Sequence, residues 1–240
     1  MSAARSRLGL WGLAVGACLL AAALAALGAW QLQRRAWKHD LIARVDARIH
    51  AAPVPAPPDC TGSCEPYTRV VATGVFAHDR ETLVQAVTEA GPGFWVLTPL
   101  EGEGGTILIN RGFVPKERRD PATRAAGQVA GPVRITGLLR LTEPGGAFLR
   151  SNDPAGGRWY SRDVAAIAAA RGLSGAAAYF VDADATSNPG GLPLGGLTIV
   201  AFPDNHLVYA LTWFTLAAMV LGALAYTLRD AGRSRNDRSA

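Results

Sequence analysis

One histidine in this 240-residue chain stands in a position suited to binding a cofactor. His206 directly precedes an uncharged segment, in the stretch NHLVYALTWF. On a helix, Tyr209, Ala210 and Trp213 share its face, because residues three, four and seven positions apart lie on one side. A neutral imidazole is a metal ligand, and the small and aromatic neighbours leave room for a flat apolar cofactor. The spacing therefore predicts a site where this helix begins.

A second interpretation of His206 needs no cofactor. Histidine, tyrosine and tryptophan are common at membrane surfaces, where their amphipathic rings act as anchors. A lone histidine also has no second ligand beside it in the sequence. Helical spacing alone does not separate a ligand from an anchor, so both interpretations stay open at this point.

A polar helix face follows the first uncharged segment of the chain. Its members lie on one side of a helix because they are three or four residues apart: Gln31, Arg34, Arg35 and Lys38. Arginine and lysine bind carboxylates, such as haem propionates, through charge-assisted hydrogen bonds. The alternative is that these long side chains extend toward lipid phosphates.

Two cysteines lie four residues apart in the stretch CTGSC, after a proline-rich segment. On the oxidising side of a membrane, Cys60 and Cys64 are predicted to form a local disulfide. Copper binding or redox chemistry is an alternative, although no third ligand lies nearby, and unpaired thiols are another.

Arg111 and Gly112 directly follow a predicted strand. If the turn there needs a positive φ, Gly112 is structural, because glycine adopts that conformation without strain. Arg111 then projects from the strand end. In that position it either binds a carboxylate or closes an ion pair at the edge of the core.

Two uncharged segments, residues 8–30 and 207–228, position these side chains. Each is close to the roughly 20 residues that cross a bilayer as a helix. The first exceeds the apolar core of a secretory signal, which favours a retained anchor over a cleaved leader. With two spans, both chain ends lie on one side of the membrane, and residues 31–206 form one loop on the other side.

The basic residues indicate which side is which. The tail, residues 229–240, is rich in arginine and is predicted to be cytoplasmic together with residues 1–7. Its arginines are Arg229, Arg233, Arg235 and Arg238. We therefore expect a multi-pass protein of a bacterial inner membrane, with its main domain in the periplasm, or the equivalent intermembrane space. Anionic lipids account for the net charge of +5, and no nucleic-acid-binding motif is present.

The loop is predicted to contain one α+β domain. A helix continues over residues 31–50, and a proline-rich linker covers residues 51–66. β-Branched and aromatic runs then predict strands of a small antiparallel sheet or barrel: RVVATGVF, ETLVQAV, FWVLTPL, TILINRGFV and VRITGLLRL. AAYFVDA and LTIVAF are candidates for two closing strands, EGEGG for a hairpin, and RDVAAIAAARG for a helix.

Several of these motifs occur together, and in the same order, in one known family. They are LGAWQLQRRAWK, GVFAHDRE, GFWVLTPL, ILINRGFVP, GLLRLTEP, NDP, WYSRDV and NHLVYALTWF. Over roughly residues 8–228 the chain resembles the surfeit locus protein 1 family, assembly factors of haem–copper cytochrome c oxidase in bacterial and mitochondrial inner membranes.

The resemblance implies two membrane helices, an exported domain, no catalysis, and a chaperone-like role in maturing oxidase subunit I, with haem a as a transient ligand. Subunit I and haem a synthase are the implied partners. His206 matches the proposed haem ligand of the family, and Tyr209, Trp213 and Phe214 match its aromatic positions. Gly74, as a structural glycine, and Arg111-Gly112 also fall on family motifs. Asp204 is a departure, since many members have asparagine there.

Two other functions stay open at this point. One is a scaffold that stabilises subunit I without carrying haem. The other is a periplasmic thiol or copper handler that uses Cys60 and Cys64.

Overall fold

The computed structural model describes residues 2–60, 64–147 and 149–236, so Arg238 of the predicted tail lies outside the described residues. The chain divides into two compact units. One comprises residues 1–44 and 201–240, and is called the helix pair below. The other comprises residues 45–200 and is called the sheet domain.

Helices α1 (Ser2–His50) and α3 (His206–Asn236) form the helix pair, except that residues 45–50 of α1 belong to the sheet domain. Both helices are long and apolar enough to cross a membrane. Small residues lie at their buried positions, with Ala21 on α1 and both Ala210 and Ala217 on α3. A Cβ on Gly28 would lie 2.7 Å from the Phe214 ring, so glycine lets the two helices pack closely there.

The sheet domain consists of short strands and one short helix, α2 (Val164–Ala170). The strands are β1 Val54–Pro55, β2 Arg69–Phe76, β3 Thr82–Thr88, β4 Gly91–Gly102, β5 Gly105–Pro115, β6 Pro132–Leu141, β7 Gly146–Ala147, β8 Arg150–Ser151 and β9 Ala176–Ala183. Single 3₁₀ turns cover His78–Arg80, Lys116–Arg118, Pro121–Gly127 and Pro189–Gly191.

Five strands close into a small barrel. The order β2-β6-β9-β5-β4 returns to β2 through a β2–β4 pairing, while β1 and β3 extend the sheet at its ends. Closure brings β2 and β4 so close that a Cβ on Gly74 would lie 2.4 Å from the Glu101 carbonyl oxygen. Gly102 faces the same limit, 2.3 Å from the Thr73 carbonyl oxygen. Glycine on both strands therefore permits the closure.

Alternate residues of the barrel strands form two cores. Ile109 and Val181 belong to a cluster with members on all five barrel strands, which places that cluster inside the barrel. Leu108 and Phe180, one position along, face the other way because successive strand residues point to opposite sides. Trp159 and α2 cover this second face.

The predicted α+β domain between two apolar helices is confirmed, with the barrel form of the sheet. The five runs predicted as strands correspond to β2, β3, β4, β5 and β6, and AAYFVDA forms most of β9. The sheet is not wholly antiparallel, since β5 and β9 pair in parallel. LTIVAF is not a strand, so that prediction is wrong. The barrel is already closed by β2 and β4, and Leu194 takes the bridge to Phe113.

The proline-rich segment is extended, as predicted, but it is also part of the sheet domain. Val54 pairs with Val70 of β2 in parallel. The Tyr179 hydroxyl donates a 2.6 Å hydrogen bond to the Pro57 carbonyl. This segment is therefore attached to the barrel along its length rather than acting as a free linker.

Candidate functional site

The first turn of α3 is fixed by the residue that distinguishes this chain from many family members. Asp204 Oδ1 accepts a 3.1 Å hydrogen bond from the His206 backbone N–H, as a helix N-cap does. That backbone hydrogen bond, followed by one from His39, holds the pKa of Asp204 below its ordinary value. The residue at position 204 thus stays anionic and holds the His206 backbone in place.

The His206 ring is oriented by a residue of α1. Its Nδ1 lies 2.7 Å from Gln31 Oε1. An amide oxygen only accepts hydrogen bonds, so Nδ1 carries the proton and donates it. The proton is then absent from Nε2, which keeps its lone pair and has no hydrogen-bond partner among the described residues. This is the arrangement of a histidine ligand whose other nitrogen is held by a supporting residue.

The predicted polar face of α1 is divided by the structure. Arg35 Nε lies 3.8 Å from Asp204 Oδ2, and Lys38 Nζ donates to the Pro203 carbonyl. Arg34 instead stacks on the Trp37 ring, with its guanidinium carbon 4.5 Å from the ring centre. Three of the four predicted residues, Gln31 included, therefore contact the segment before α3, and Arg34 does not.

A further contact of this segment was not predicted from the sequence. His39 Nε2 lies 2.7 Å from Asp204 Oδ2, although the sequence alone indicates only a solvated helix residue. One signal in the sequence does relate the two helices. Two antiparallel spans place the outer end of the first, near Gln31, level with the outer start of the second, at His206.

The aromatic residues of α3 do not surround His206. Tyr209 is 56% exposed, whereas Ala210, one residue further on, is 1% exposed. Trp213 is half-buried, and Phe214 contacts α1 at Gly28. Tyr209 and Trp213 thus lie beside the helix interface, with ring surface available to a ligand approaching from outside.

Arg111 does not project from the domain as predicted. It is 2% exposed, and its Nη2 donates to the Gly127 carbonyl and to Asn188 Oδ1. Burial lowers the pKa of Arg111 to about 10. Its guanidinium carbon lies 4.7 Å from the centre of the Phe76 ring. Among the described residues Arg111 forms no ion pair, and its Nε and Nη1 have no hydrogen-bond partner.

Gly112 has the positive φ, +125°, that the turn hypothesis requires. A Cβ at this position would lie 2.0 Å from the Leu194 carbonyl oxygen. Conformation and space both exclude a side chain, so Gly112, like Gly74 at the barrel closure, has a structural role.

Cys60 and Cys64 are joined by a disulfide, with their Cα atoms 5.2 Å apart. Both residues pack against the inner cluster of the barrel. Sulfurs bonded to each other are not thiolates, so this pair does not bind copper in the oxidised protein.

Comparison with known proteins gives one consistent result. The family model described as SURF1 family matches residues 18–218. Surfeit locus protein 1 of Mus musculus is 40% identical over 218 residues, which cover 83% of this chain and 70% of that protein. The Homo sapiens protein of the same name is 39% identical over 211 residues, covering 80% and 69%. A SURF1-like protein of Monosiga brevicollis is 38% identical over 222 residues, covering 86% and 84%.

Proposed function

This chain belongs to the SURF1 family, and on that basis we propose that it is a membrane-anchored assembly factor of haem–copper cytochrome c oxidase. Its function is to bind haem a through His206 and to support insertion of that haem into oxidase subunit I. The observation that carries the haem role is the Gln31–His206 hydrogen bond, which leaves Nε2 as the free nitrogen.

The residues present fit such a ligand. A histidine nitrogen with a lone pair is an axial ligand of haem iron, and a fixed tautomer keeps that nitrogen available. His206 is half-buried, and exposed Tyr209 and half-buried Trp213 lie on the same helix. Haem a supplies an iron with an axial position for this nitrogen, a flat apolar ring system and two propionates.

The cations of α1 divide into two groups for this purpose. Arg35 and Lys38 already contact the segment before α3, where they help to position His206. Arg34 contacts only an aromatic ring among the described residues, and so it is the cation best placed to accept a propionate or a partner carboxylate.

We place the protein in the bacterial inner membrane, with the sheet domain in the periplasm. Arg229 and Arg233 at the end of α3 support a cytoplasmic tail. The disulfide between Cys60 and Cys64 agrees with an oxidising compartment around the sheet domain. Subunit I and haem a synthase are the proposed partners, and the protein transforms no substrate of its own.

The test is to purify the full chain from cells that make haem a and to measure bound haem by its visible spectrum. We expect the unaltered chain to carry haem a and His206→Ala to lose it. His50→Ala is the matched control, because His50 is exposed at the end of α1 and contacts only Asp46. This control is expected to keep the haem.

Oxidase assembly in the same membranes separates the haem role from a scaffold role. If the unaltered chain carries no haem and His206→Ala assembles the oxidase normally, the protein is a scaffold and the haem proposal is wrong. If Cys60→Ser with Cys64→Ser impairs assembly while the domain stays folded, a thiol role returns.

A further inference from the structure

A groove of about 470 Å³ lies beside β3 and β4 in the sheet domain, and we call it the β3–β4 groove. Its position is separate from the residues considered so far, since all of its lining residues fall between Gln85 and Tyr160. Its volume lies within the range of ligand sites, roughly 300–1,000 Å³.

The floor of the groove is apolar. Gln85 pairs with Phe94 and Val87 pairs with Pro92 across the hairpin, so these four side chains share one face of the sheet. Val87 is 85% exposed on that face. Phe94 is half-buried, with its neighbour Gly93 packed against Phe113 on the other face. An exposed valine and an accessible phenylalanine ring provide a contact surface for an apolar group.

Cations lie on both sides of this floor. Lys116 lines the groove just after β5, and Arg119 has its guanidinium carbon 5.3 Å from the centre of the Phe94 ring. On the other side, Arg150 lies 5.4 Å from the centre of the Tyr160 ring and donates to Gln85 Oε1 at 3.4 Å. The basic groups are thereby held at the groove by aromatic rings.

These cations have no acidic partner, unlike others on the same domain. Arg80 pairs with Glu101, and Arg158 pairs with Asp153. Within the described ranges, Lys116, Arg119 and Arg150 form no ion pair, and no carboxylate lines the groove. The groove thus presents unpaired positive charge around an apolar floor, which is complementary to an apolar group flanked by negative charges.

We propose that the β3–β4 groove binds an acidic segment of a partner protein. An apolar side chain of that segment lies on Val87 and Phe94, and carboxylates on either side of it pair with Lys116 and Arg150. Cations on two opposite sides of a recess suit an extended peptide better than a flat layer of lipid head groups. The inference uses no residue of the helix pair, so it stands apart from the haem proposal.

The test measures peptide binding to the full chain in nanodiscs of zwitterionic lipid, by fluorescence anisotropy. The probe is a labelled synthetic peptide with one phenylalanine flanked on each side by glutamates. We expect Lys116→Gln with Arg150→Gln to weaken binding about tenfold, since two charge contacts are lost. Val87→Ser is expected to weaken it several-fold. Arg134→Gln is the matched control, an exposed arginine on β6 outside the groove, and is expected to bind as the unaltered chain does.

Two further probes define the ligand. A peptide with lysines in place of the glutamates is expected not to bind, and one with serine in place of phenylalanine is expected to bind weakly. The proposal is overturned if the groove variants bind the acidic peptide unchanged, or if Arg134→Gln lowers binding equally. It is also overturned if the chain binds anionic-lipid vesicles through Lys116 and Arg150 but does not bind the peptide.

Discussion

The sheet domain and the helix pair each contain one polar cluster, and the two clusters differ in how fully their groups are hydrogen-bonded. In the sheet domain, the Asp182 side chain is 3% exposed and accepts hydrogen bonds from four residues. These are Asn110 at 2.7 Å, Arg140 at 2.8 Å, Thr198 at 3.0 Å and Arg162 at 3.1 Å. No oxygen of Asp182 is left for a ligand.

In the helix pair, His206 is half-buried and bonds through one ring nitrogen only. Gln31 and Asp204 hold the ring and the backbone, while Nε2 has no partner among the described residues. A fully bonded buried cluster makes the structure rigid, whereas a cluster that holds one reactive atom in place and leaves it free suits a ligand. This difference separates a structural cluster from a candidate site.

The largest effect is expected from Asp182→Ala. The substitution leaves Arg140 and Arg162 buried without their shared carboxylate, and losing one partner of a buried ion pair costs about 3–5 kcal/mol. The free energy of unfolding, from urea titration of the purified chain in detergent, measures this loss.

Glu101→Gln is the control for Asp182→Ala, because Glu101 forms its ion pair with Arg80 at the surface. An exposed pair contributes about 0.2–1 kcal/mol. Equal losses for the two variants would mean that the Asp182 cluster is not the structural one, and the comparison would fail there.

The next effect concerns Gln31, which we regard as a positioning residue. Gln31→Leu removes the acceptor for His206 Nδ1–H and is expected to weaken haem a binding roughly 10- to 100-fold, as loss of such supporting partners does for metal ligands. Gln31→Glu keeps an acceptor and is expected to preserve binding while shifting the visible spectrum of the bound haem.

Gln33→Leu is the matched control for Gln31→Leu, since Gln33 is exposed on the same helix. It is expected to leave both affinity and spectrum unchanged. If Gln31→Leu binds haem a as tightly as Gln33→Leu does, the hydrogen bond has no part in ligand positioning.

Arg111 gives an intermediate case, because it is buried but only partly hydrogen-bonded. Arg111→Met keeps a long side chain against Phe76 and removes both the buried charge and the two N–H groups that lack partners. Replacing such a buried charge is often neutral or stabilising, so we expect the unfolding free energy to fall by no more than about 1 kcal/mol. A loss as large as that of Asp182→Ala would place Arg111 among the structural charges.

The smallest effect is a pH dependence at the start of α3. The folded-state pKa of Asp204 is lowered, first by the His206 N–H and then by His39. The stability that Asp204 contributes is therefore present above the pKa of an unfolded aspartate, and it is lost as the pH falls through the lower folded pKa. NMR titration of the labelled carboxyl is expected to show that His39→Ala raises this pKa without restoring the ordinary value. An unchanged pKa in His39→Ala would mean that the His39 contact is absent in solution.

The strands could be predicted because their signal is local. RVVATGVF was predicted as a strand, and β2 occupies the same residues, Arg69–Phe76. The alternation of buried positions along such runs follows from the pleat of a strand and needs no knowledge of the rest of the chain.

LTIVAF has the same composition as a strand and is not one, because pairing depends on the rest of the fold. The close approach of β2 and β4 at Gly74 and Gly102 closes the barrel and leaves no free position in it. The Asp182 cluster was also missed. Its members are distant in sequence, and no spacing rule relates Asn110 to Asp182.

The site was predicted in part for the same reason. Helical spacing grouped Gln31 with the cations of α1, and the antiparallel spans place it level with His206. The contact of His39 with Asp204 depends on how the segment before α3 turns, across 165 residues of sequence. Tyr209 and Ala210 are both near His206 by spacing, and only packing decides that Ala210 is the buried one.

The central claim is that His206 Nε2 binds the iron of haem a. Pulsed EPR of the ferric haem-loaded chain, grown with isotope-labelled histidine, measures the magnetic coupling between the iron and a directly bound histidine nitrogen. The account predicts this coupling in the unaltered chain and in His50→Ala, and its loss in His206→Ala. The same coupling persisting in His206→Ala would contradict the account.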